Sequence, residues 1–412
     1  MKKGFPTKPL QSLCDDFKQD IVDGPFGSEL KREDYIPEGI PVLKIQNVKP
    51  FAIELKKMDY VSAEKFHELR RHSFRRGDIV MTKLGSPLGV SAIVEDVEEG
   101  VIVADLVRVR AQQINTKYLC YHLNSQRTND FINSMQKGTT RPRVTLSVVR
   151  ELPIYAPPLA EQQRIVGLLD EAFEGLATAK ANAEKNLQTA RALFESHLQS
   201  VFTQRGPGWV EKPLGDLCDF LNGFAFKSGD VVAESQTQLV RMGNLYGNQL
   251  DLDRNPVFYP DSFATEHSRY VLEEGDIIMS LTGTTGKEDY GFAVRIPDCG
   301  HTLLMNQRIM KFDAMRRDII DDGYLLHYLR SRCFLDILYP TANGTRQANL
   351  SSVTMKLLPV PLRSLKEQKA IATKLDDLRE ETQRLARLYE RKHAALEALK
   401  KSLLHQAFTG EL

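Results

Sequence analysis

Two spacings of apolar residues alternate along the chain. Short runs, GIPVLKI (39–45), GDIVMTKL (77–84), GVSAIVEDV (89–97) and VIVADLVRVRA (101–111), are rich in β-branched residues and broken by Gly, Pro or Asp, which predicts β-strands. TKYLCYHLNSQRTNDFINSM (116–135) and DDGYLLHYLRSRCFLDIL (321–338) instead space their apolar residues as helices do. After Leu159 the period becomes seven. One row holds Val166, Phe173, Lys180, Leu187, Phe194 and Val201, and its companion holds Leu169, Leu176, Ala183, Ala190 and His197. The same pattern returns as Ile371, Leu378, Leu385, Lys392 and Leu399 beside Leu375, Thr382, Tyr389, Leu396 and Leu403. Two such rows form a coiled-coil seam, which Lys180, His197, Thr382 and Lys392 interrupt. Pro157, Pro158 and Pro361 stand just upstream, where proline suits a helix start.

The whole order of patterns occurs twice. KPLQSLCD (8–15) returns as KPLGDLCD (212–219), and VLKIQNV (42–48) as LVRMGNL (239–245). RRGDIVMTKLG (75–85) returns as EEGDIIMSLTG (273–283), and GTTRPRVTLSVV (138–149) is echoed by GTRQANLSSV (344–353). From Pro153 and Pro359 onward the offset is a constant 206 residues, as far as Phe202–Thr203 and Phe408–Thr409. Gaps fall only in the earlier parts, where loops vary. The ungapped part is expected to be one continuous helix. The chain therefore reads as a tandem duplication. Residues 1–155 and 205–361 are two mixed α/β (α+β) domains, and residues 156–204 and 362–412 are two long helices. Some forty helical residues make a rod of about 60 Å. A helix so much longer than its domain cannot bury its seam there, so the two seams are expected to bury each other as an antiparallel pair, with a pseudo-twofold relation between the halves.

Hydrophobic residues at 42% and charged residues at 26% fit folded globular domains, and no apolar stretch reaches the length of a membrane span. The chain opens on two lysines with no apolar run behind them, so no signal peptide is read and a cytoplasmic location is expected. Cys14, Cys120, Cys218, Cys299 and Cys333 are odd in number and form no C-x-x-C pair, which argues against a disulfide framework and a cysteine zinc site. The net charge of +1 is low for a protein that grips DNA alone.

Catalytic motifs fail on inspection. TGTTGKED (282–289) resembles a phosphate loop but has Leu281 where glycine is needed and Glu288 where Ser or Thr is needed. YAPPLA (155–160) resembles an amino-methyltransferase motif but carries Ala156 for the acid and Leu159 for the aromatic residue. No G-x-G-x-x-G follows a strand, and no H-E-x-x-H or G-x-S-x-G occurs. A non-catalytic chain is expected.

The paired stretches LPIYAPPLAEQQRIVGLLD (152–170) and LPVPLRSLKEQKAIATKLD (358–376), the terminal LLHQAFTGEL (403–412) and the GDI-(V/I)-M turn of each half resemble the specificity subunit of type I restriction-modification enzymes. The resemblance covers nearly the whole chain. It implies two target-recognition domains, each reading one half of a split, asymmetric site in double-stranded DNA, with the helices fixing the unread spacer. It implies partners: two DNA adenine-N6 methyltransferase subunits and two ATP-driven restriction/translocase subunits. S-adenosylmethionine, ATP and magnesium would belong to those partners, with no cofactor on this chain. Glu161, Gln162, Glu367 and Gln368, at the starts of the long helices, would form the two docking surfaces for methyltransferase. A non-DNA structural scaffold bridged by a coiled coil is the alternative, and DNA dependence of partner binding separates the two. Residues 1–155 hold 24 Lys and Arg against 20 Asp and Glu, and residues 205–360 hold 16 against 20, so weak binding by the isolated chain is expected.

Base edges are read by paired donors and acceptors. The repeated loops are the candidates. In the first half these are Lys44, Gln46 and Asn47; Thr82, Lys83 and Ser86; and Thr139, Thr140, Arg141 and Arg143. In the second they are Arg241 and Asn244; Ser280, Thr282, Thr284, Thr285 and Lys287; and Thr345, Arg346, Gln347 and Asn349.

Overall fold

A computed structural model describes residues 6–27, 29–138, 140–409 and 411. The chain divides into two compact units, Met1–Glu184 with Glu390–Leu412, and Lys185–Tyr389. Among the described residues no helix is long and apolar enough to cross a membrane.

In the first unit, strands Ser91–Ile93, Ile79–Thr82, Leu106–Val109 and Ile21–Asp23 lie side by side in that order, all antiparallel. A second sheet orders Tyr35–Ile36, Asp59–Val61, Ile40–Leu43, Glu99–Ile102 and Ser73–Arg75, with one parallel pairing, Val42 against Val101. The run VIVADLVRVRA is thus two strands in two sheets, joined by the turn at residues 103–105. The helical segment that follows breaks at Ser125, whose hydroxyl caps Gln126–Met135 by accepting from the Thr128 amide.

The second unit repeats this plan. Asp219–Asn222, Ile309–Asp313, Ile277–Ser280 and Ala293–Arg295 form one sheet, and Phe258–Tyr259, Thr237–Val240, Thr302–Met305 and Val271–Leu272 the other. Its parallel pairing sets Leu239 against Leu304. The repeated GDI turn has the same cause in both copies. Gly77 and Gly275 sit at φ +89° and +88°, where a side chain is strained. Asp78 and Asp276 then accept from the amides of Arg75 and Glu273, at 2.9 Å in each copy.

Two helices of 45 residues each, Leu159–Thr203 and Leu365–Thr409, complete the chain. The second opens with a capping box in which Ser364 and Glu367 satisfy each other's amides. The Ser364 hydroxyl and Arg363 pull the Glu367 pKa down to about 2. In the first unit Glu184 meets His393 at 3.3 Å, Lys180 meets Glu397 at 2.8 Å, and Phe173 meets Lys400 at 4.7 Å from its ring centre. The seven-residue row expected through Lys392 and Leu399 is therefore displaced: both are exposed, and His393 and Lys400 take their places. A straight helix drifts about 20° per heptad, or about 60–80° over the three to four heptads from Ile371, which turns the seam toward the following residue. Thr382 is buried in the second unit, its hydroxyl donating to the Leu378 carbonyl at 2.8 Å.

Each helix start is fastened to its domain by one glutamine. Gln162 accepts from the Asn115 amide at 2.8 Å and donates to the Pro157 carbonyl at 2.7 Å. Gln368 accepts from the Asp321 amide at 3.0 Å and donates to the carbonyls of Ile319 and Arg363, both at 2.9 Å. Asn115 and Asp321 cap the domain helices Thr116–Leu123 and Asp322–Arg330. A phenylalanine from a helix end lies against those same helices. Phe408 packs on Tyr118 and His122, and Phe202 on Tyr324 and Tyr328. Burying each contributes about 1.5–3 kcal/mol.

The two copies exchange a polar pair at this junction. Tyr121 donates to Asp170 at 2.5 Å in the first unit, and His327 meets Asp376 at 2.9 Å in the second. His122 then accepts from the Tyr155 amide at 3.0 Å, while Tyr328 donates to the Pro359 carbonyl at 2.7 Å. His122 is fully enclosed, and burial pushes its pKa down to about 3. The unfolded chain's imidazole titrates near 6.5. Between these values only the unfolded state binds the extra proton, so His122 leaves stability intact above about pH 6.5 and lowers it as pH falls further. The loss from pH 7 to pH 5 is about 2 kcal/mol. Thermal melts at the two values are expected to show the first unit weakened at pH 5, with His122→Gln flattening the dependence; an equal fall in the variant contradicts the assignment.

Candidate nucleic-acid interface

Two candidate loops of each unit leave strand ends beside other loops. In the second unit they follow Val240 and Ser280, and the loops after Asn222 and Met305 leave the same end. In the first they follow Leu43 and Thr82, with the loops after Asp23 and Ile102 beside them. Loops far apart in sequence are tied together there. The Gly85 amide donates to the Pro142 carbonyl at 3.0 Å, the Val144 amide to Lys83 at 3.0 Å, and Lys137 and Arg143 exchange backbone bonds. In the second unit the equivalent segments form a two-stranded ladder, Thr282–Thr284 against Gln347–Asn349. The loop at Arg241 joins it through the Thr282 hydroxyl, which donates to the Met242 sulfur at 3.0 Å.

Several candidates hold these loops in shape and present nothing to a ligand. Asn47 is buried; its carbonyl accepts from the Lys44 amide at 3.0 Å and its amide donates to Glu54 at 2.9 Å. Asn244 does the same with the Arg241 amide and the carbonyls of Asp251 and Arg254. Thr82 and Ser280 point into the sheets and accept from the Val90 and Phe292 amides, and Thr282 is buried with them. The expectation that these five read bases is corrected: their polar atoms are already satisfied inside the fold. Lys83 is half-buried against Asp23 at 2.6 Å, and Lys44 pairs with Asp59 over the Tyr35 ring. Arg241 donates to the Asn255 carbonyl at 2.6 Å.

The others lie at the surface. Gln46, Ser86, Thr140, Arg141 and Arg143 are exposed in the first unit, as are Thr284, Thr285, Lys287, Thr345, Arg346, Gln347 and Asn349 in the second. Thr139 lies outside the described residues. Asp289 accepts from the Thr284 hydroxyl at 2.7 Å, Gly344 from Thr285 at 3.1 Å, and Gln347 from the Asn349 amide at 2.9 Å. Of the expected docking residues, Gln162 is 4% and Gln368 0% exposed, so both are intramolecular fasteners and not docking surface. Glu161 and Glu367 keep partial exposure while bonding Arg164 and Arg363.

A further repeat, DGPFGS (23–28) and NGFAFKS (222–228), lies outside the candidate loops. Gly24 and Gly223 press on the backbone at Val103 and Asn306, where any Cβ would collide. The matching glycines were the available signal.

A sequence profile described as "Type I restriction modification DNA specificity domain" matches residues 77–187 and 207–390. The MjaVIII specificity subunit of Methanocaldococcus jannaschii is 24% identical over 331 residues, 76% of this chain and 75% of that protein. The putative MjaX specificity subunit of the same organism is 24% identical over 403 residues, 91% and 87% of the two chains. Among solved structures, a chain of a type I restriction-modification system superposes with a TM-score of 0.74 at 20% identity, covering 100% of this chain and 99% of that one. The HsdS subunit from Thermoanaerobacter tengcongensis gives 0.61 at 18% identity, covering 100% and 98%. The last two likenesses bear on the fold.

The bonding of Asn244 makes a prediction about the loops themselves. Asn244→Ala takes the side-chain partner from the Arg241 amide and from the Asp251 and Arg254 carbonyls and is expected to lower the stability of the second unit by about 1–3 kcal/mol. Chemical denaturation checks this; an unchanged midpoint returns Asn244 to the pool of free readers.

Proposed function

Because the chain belongs to the type I restriction modification DNA specificity domain family, we propose that it is the non-catalytic, DNA-reading subunit of a type I restriction-modification complex. Residues 1–155 and 205–361 each read one half of a split, asymmetric site. Helices 156–204 and 362–412 form an antiparallel coiled-coil pair, related by a pseudo-twofold, that sets the unread gap. One observation carries this reading: each unit gathers loops from distant parts of its sequence at one set of strand ends and fastens that body to a long helix through a buried glutamine. Fixed loops and a fixed helix are what a split-site reader needs, because an error in either changes the register on DNA. The falling partner numbers along Glu184–His393 and Lys180–Glu397 support the antiparallel pairing.

The relatives' names identify them as specificity subunits of type I restriction enzymes, which supports the same assembly here. Two adenine-N6 methyltransferase subunits dock on the equivalent helix starts around Glu161 and Glu367, and two restriction/translocase subunits join them in the cytoplasm. S-adenosylmethionine, ATP and magnesium reside on those partners. The second recognition domain, with 16 basic against 20 acidic residues, relies on partner subunits for much of its phosphate neutralisation.

Division of labour between the halves is testable with two exposed arginines. Arg141→Ala is expected to weaken methylation only of sites altered in one half, and Arg346→Ala only of those altered in the other, when the complex is assayed on a panel of half-site variants. If both substitutions abolish modification of all sites alike, the halves do not read independently.

A further inference from the structure

We propose that the turn Asn306–Arg308 reads a purine edge in the major groove, with Arg308 on guanine, at the half-site of the second unit. The proposal rests on the DNA-reading function above and names a contact within it. The duplication provides an internal comparison. Residues alike in both copies at the strand ends are scaffold, as Asn47 and Asn244 illustrate by making the same bonds. Two halves that read different bases must differ where the backbone is held alike and the side chains are exposed.

The turn between the two sheets has such a shared backbone, half-buried in the first copy and exposed at Gln307 and Arg308 in the second. The amides of Val103 and Asn306 donate to Leu43 and Val240, each at 3.1 Å. Those of Leu106 and Ile309 close the turn at 3.0 and 2.9 Å, and those of Lys83 and Leu281 donate to Asp105 and Arg308, each at 2.9 Å. On this shared backbone the first copy carries Val103, Ala104 and Asp105, and the second Asn306, Gln307 and Arg308. The chemistry is inverted, from an acid to a base flanked by an amide.

In the second unit the turn lines a cleft of about 360 Å³ together with Arg241 and Arg254, with no carboxylate in the lining. This concentrates three guanidinium groups on a domain with more acids than bases. Their roles separate by what already holds them. Arg241 is anchored on the Asn255 carbonyl at 2.6 Å, and Arg254 lies over the Tyr246 ring at 5.5 Å, so both are fixed flanking charges suited to phosphate. Arg308 is exposed; its amide donates to the Asn306 side chain at 3.2 Å, and among the described residues its guanidinium reaches the Met242 sulfur alone, at 4.0 Å. Its planar fork of donors is uncommitted, which is the requirement for bidentate contact with guanine O6 and N7. Asp105 at the same place in the first unit offers only acceptors, which guanine's major-groove edge rejects, so the two halves select different bases.

The test is selection from a duplex library of randomised sequence by the chain copurified with its methyltransferase subunits. Wild type is expected to select two short halves with a fixed gap. Arg308→Ala is expected to lose a guanine preference, by roughly 5- to 150-fold, at one position of one half, with the other half and the gap retained as proof of folding. Arg308→Lys, which keeps the charge and loses the planar fork, is expected to weaken the same preference less than Arg308→Ala does, with overall affinity largely kept. Unchanged preferences in both variants, beside a split wild-type motif, overturn the assignment and leave the DNA-reading function standing. Loss of preference in both halves by the Lys variant overturns it as well. A wild-type complex that selects no split motif removes the function on which the proposal rests.

Discussion

One buried glutamine at each helix start governs the rest of the structure. Gln162 and Gln368 have both ends of their amides committed, the oxygen to the capping residue of a domain helix and the nitrogen to the carbonyl just before their own helix. Substituting either residue leaves several buried or half-buried groups without a partner, each at a cost of up to about 1–3 kcal/mol. The helix is therefore held at its root in both rotation and slide. This accounts for the repetition of PPLAEQQRIV and RSLKEQKAIA half a chain apart: the same fastening is needed twice. Phe408 and Phe202 close the junction from the other side, each on a tyrosine of the domain helix.

The exchange of His and Tyr at this junction shows how the duplicate copies have diverged within a fixed accounting of hydrogen bonds. Tyr121 and His327 both serve an aspartate, and His122 and Tyr328 both serve the backbone of the domain's last strand. The loops at the strand ends follow a different rule. Their backbones repeat, yet the side chains differ in size and charge, as at half-buried Asp105 and exposed Arg308. A conserved frame with divergent tips is the expected outcome when two copies keep one architecture and acquire separate targets.

Much of the fold was legible because duplication prints each element twice and the seven-residue period marks the helices without gaps. The seam's drift from Lys392 and Leu399 to His393 and Lys400 was not, since a heptad count assumes a supercoil that a straighter helix does not follow. The loops were recognised, but not which side chain does what within them. Asparagine suits a base edge and a loop tie equally well, and only the bonds of Asn47 and Asn244 decide between the two. Gln162 and Gln368 looked like docking residues for the same reason: a repeated polar residue on a helix gives no sign of its burial. Gln307 and Arg308 lay outside the candidate loops because the corresponding turn of the first copy sits inside VIVADLVRVRA, which reads as a single run.

The account stands or falls on whether this chain directs methylation to a split site. The most direct measurement is a genome-wide map of N6-methyladenine in the source strain with and without the gene. The account predicts a motif of two short halves separated by a fixed gap, present with the gene and absent without it. An unchanged methylation map in a strain that expresses the intact complex would contradict it, and would favour a scaffold whose two domains bind something other than DNA.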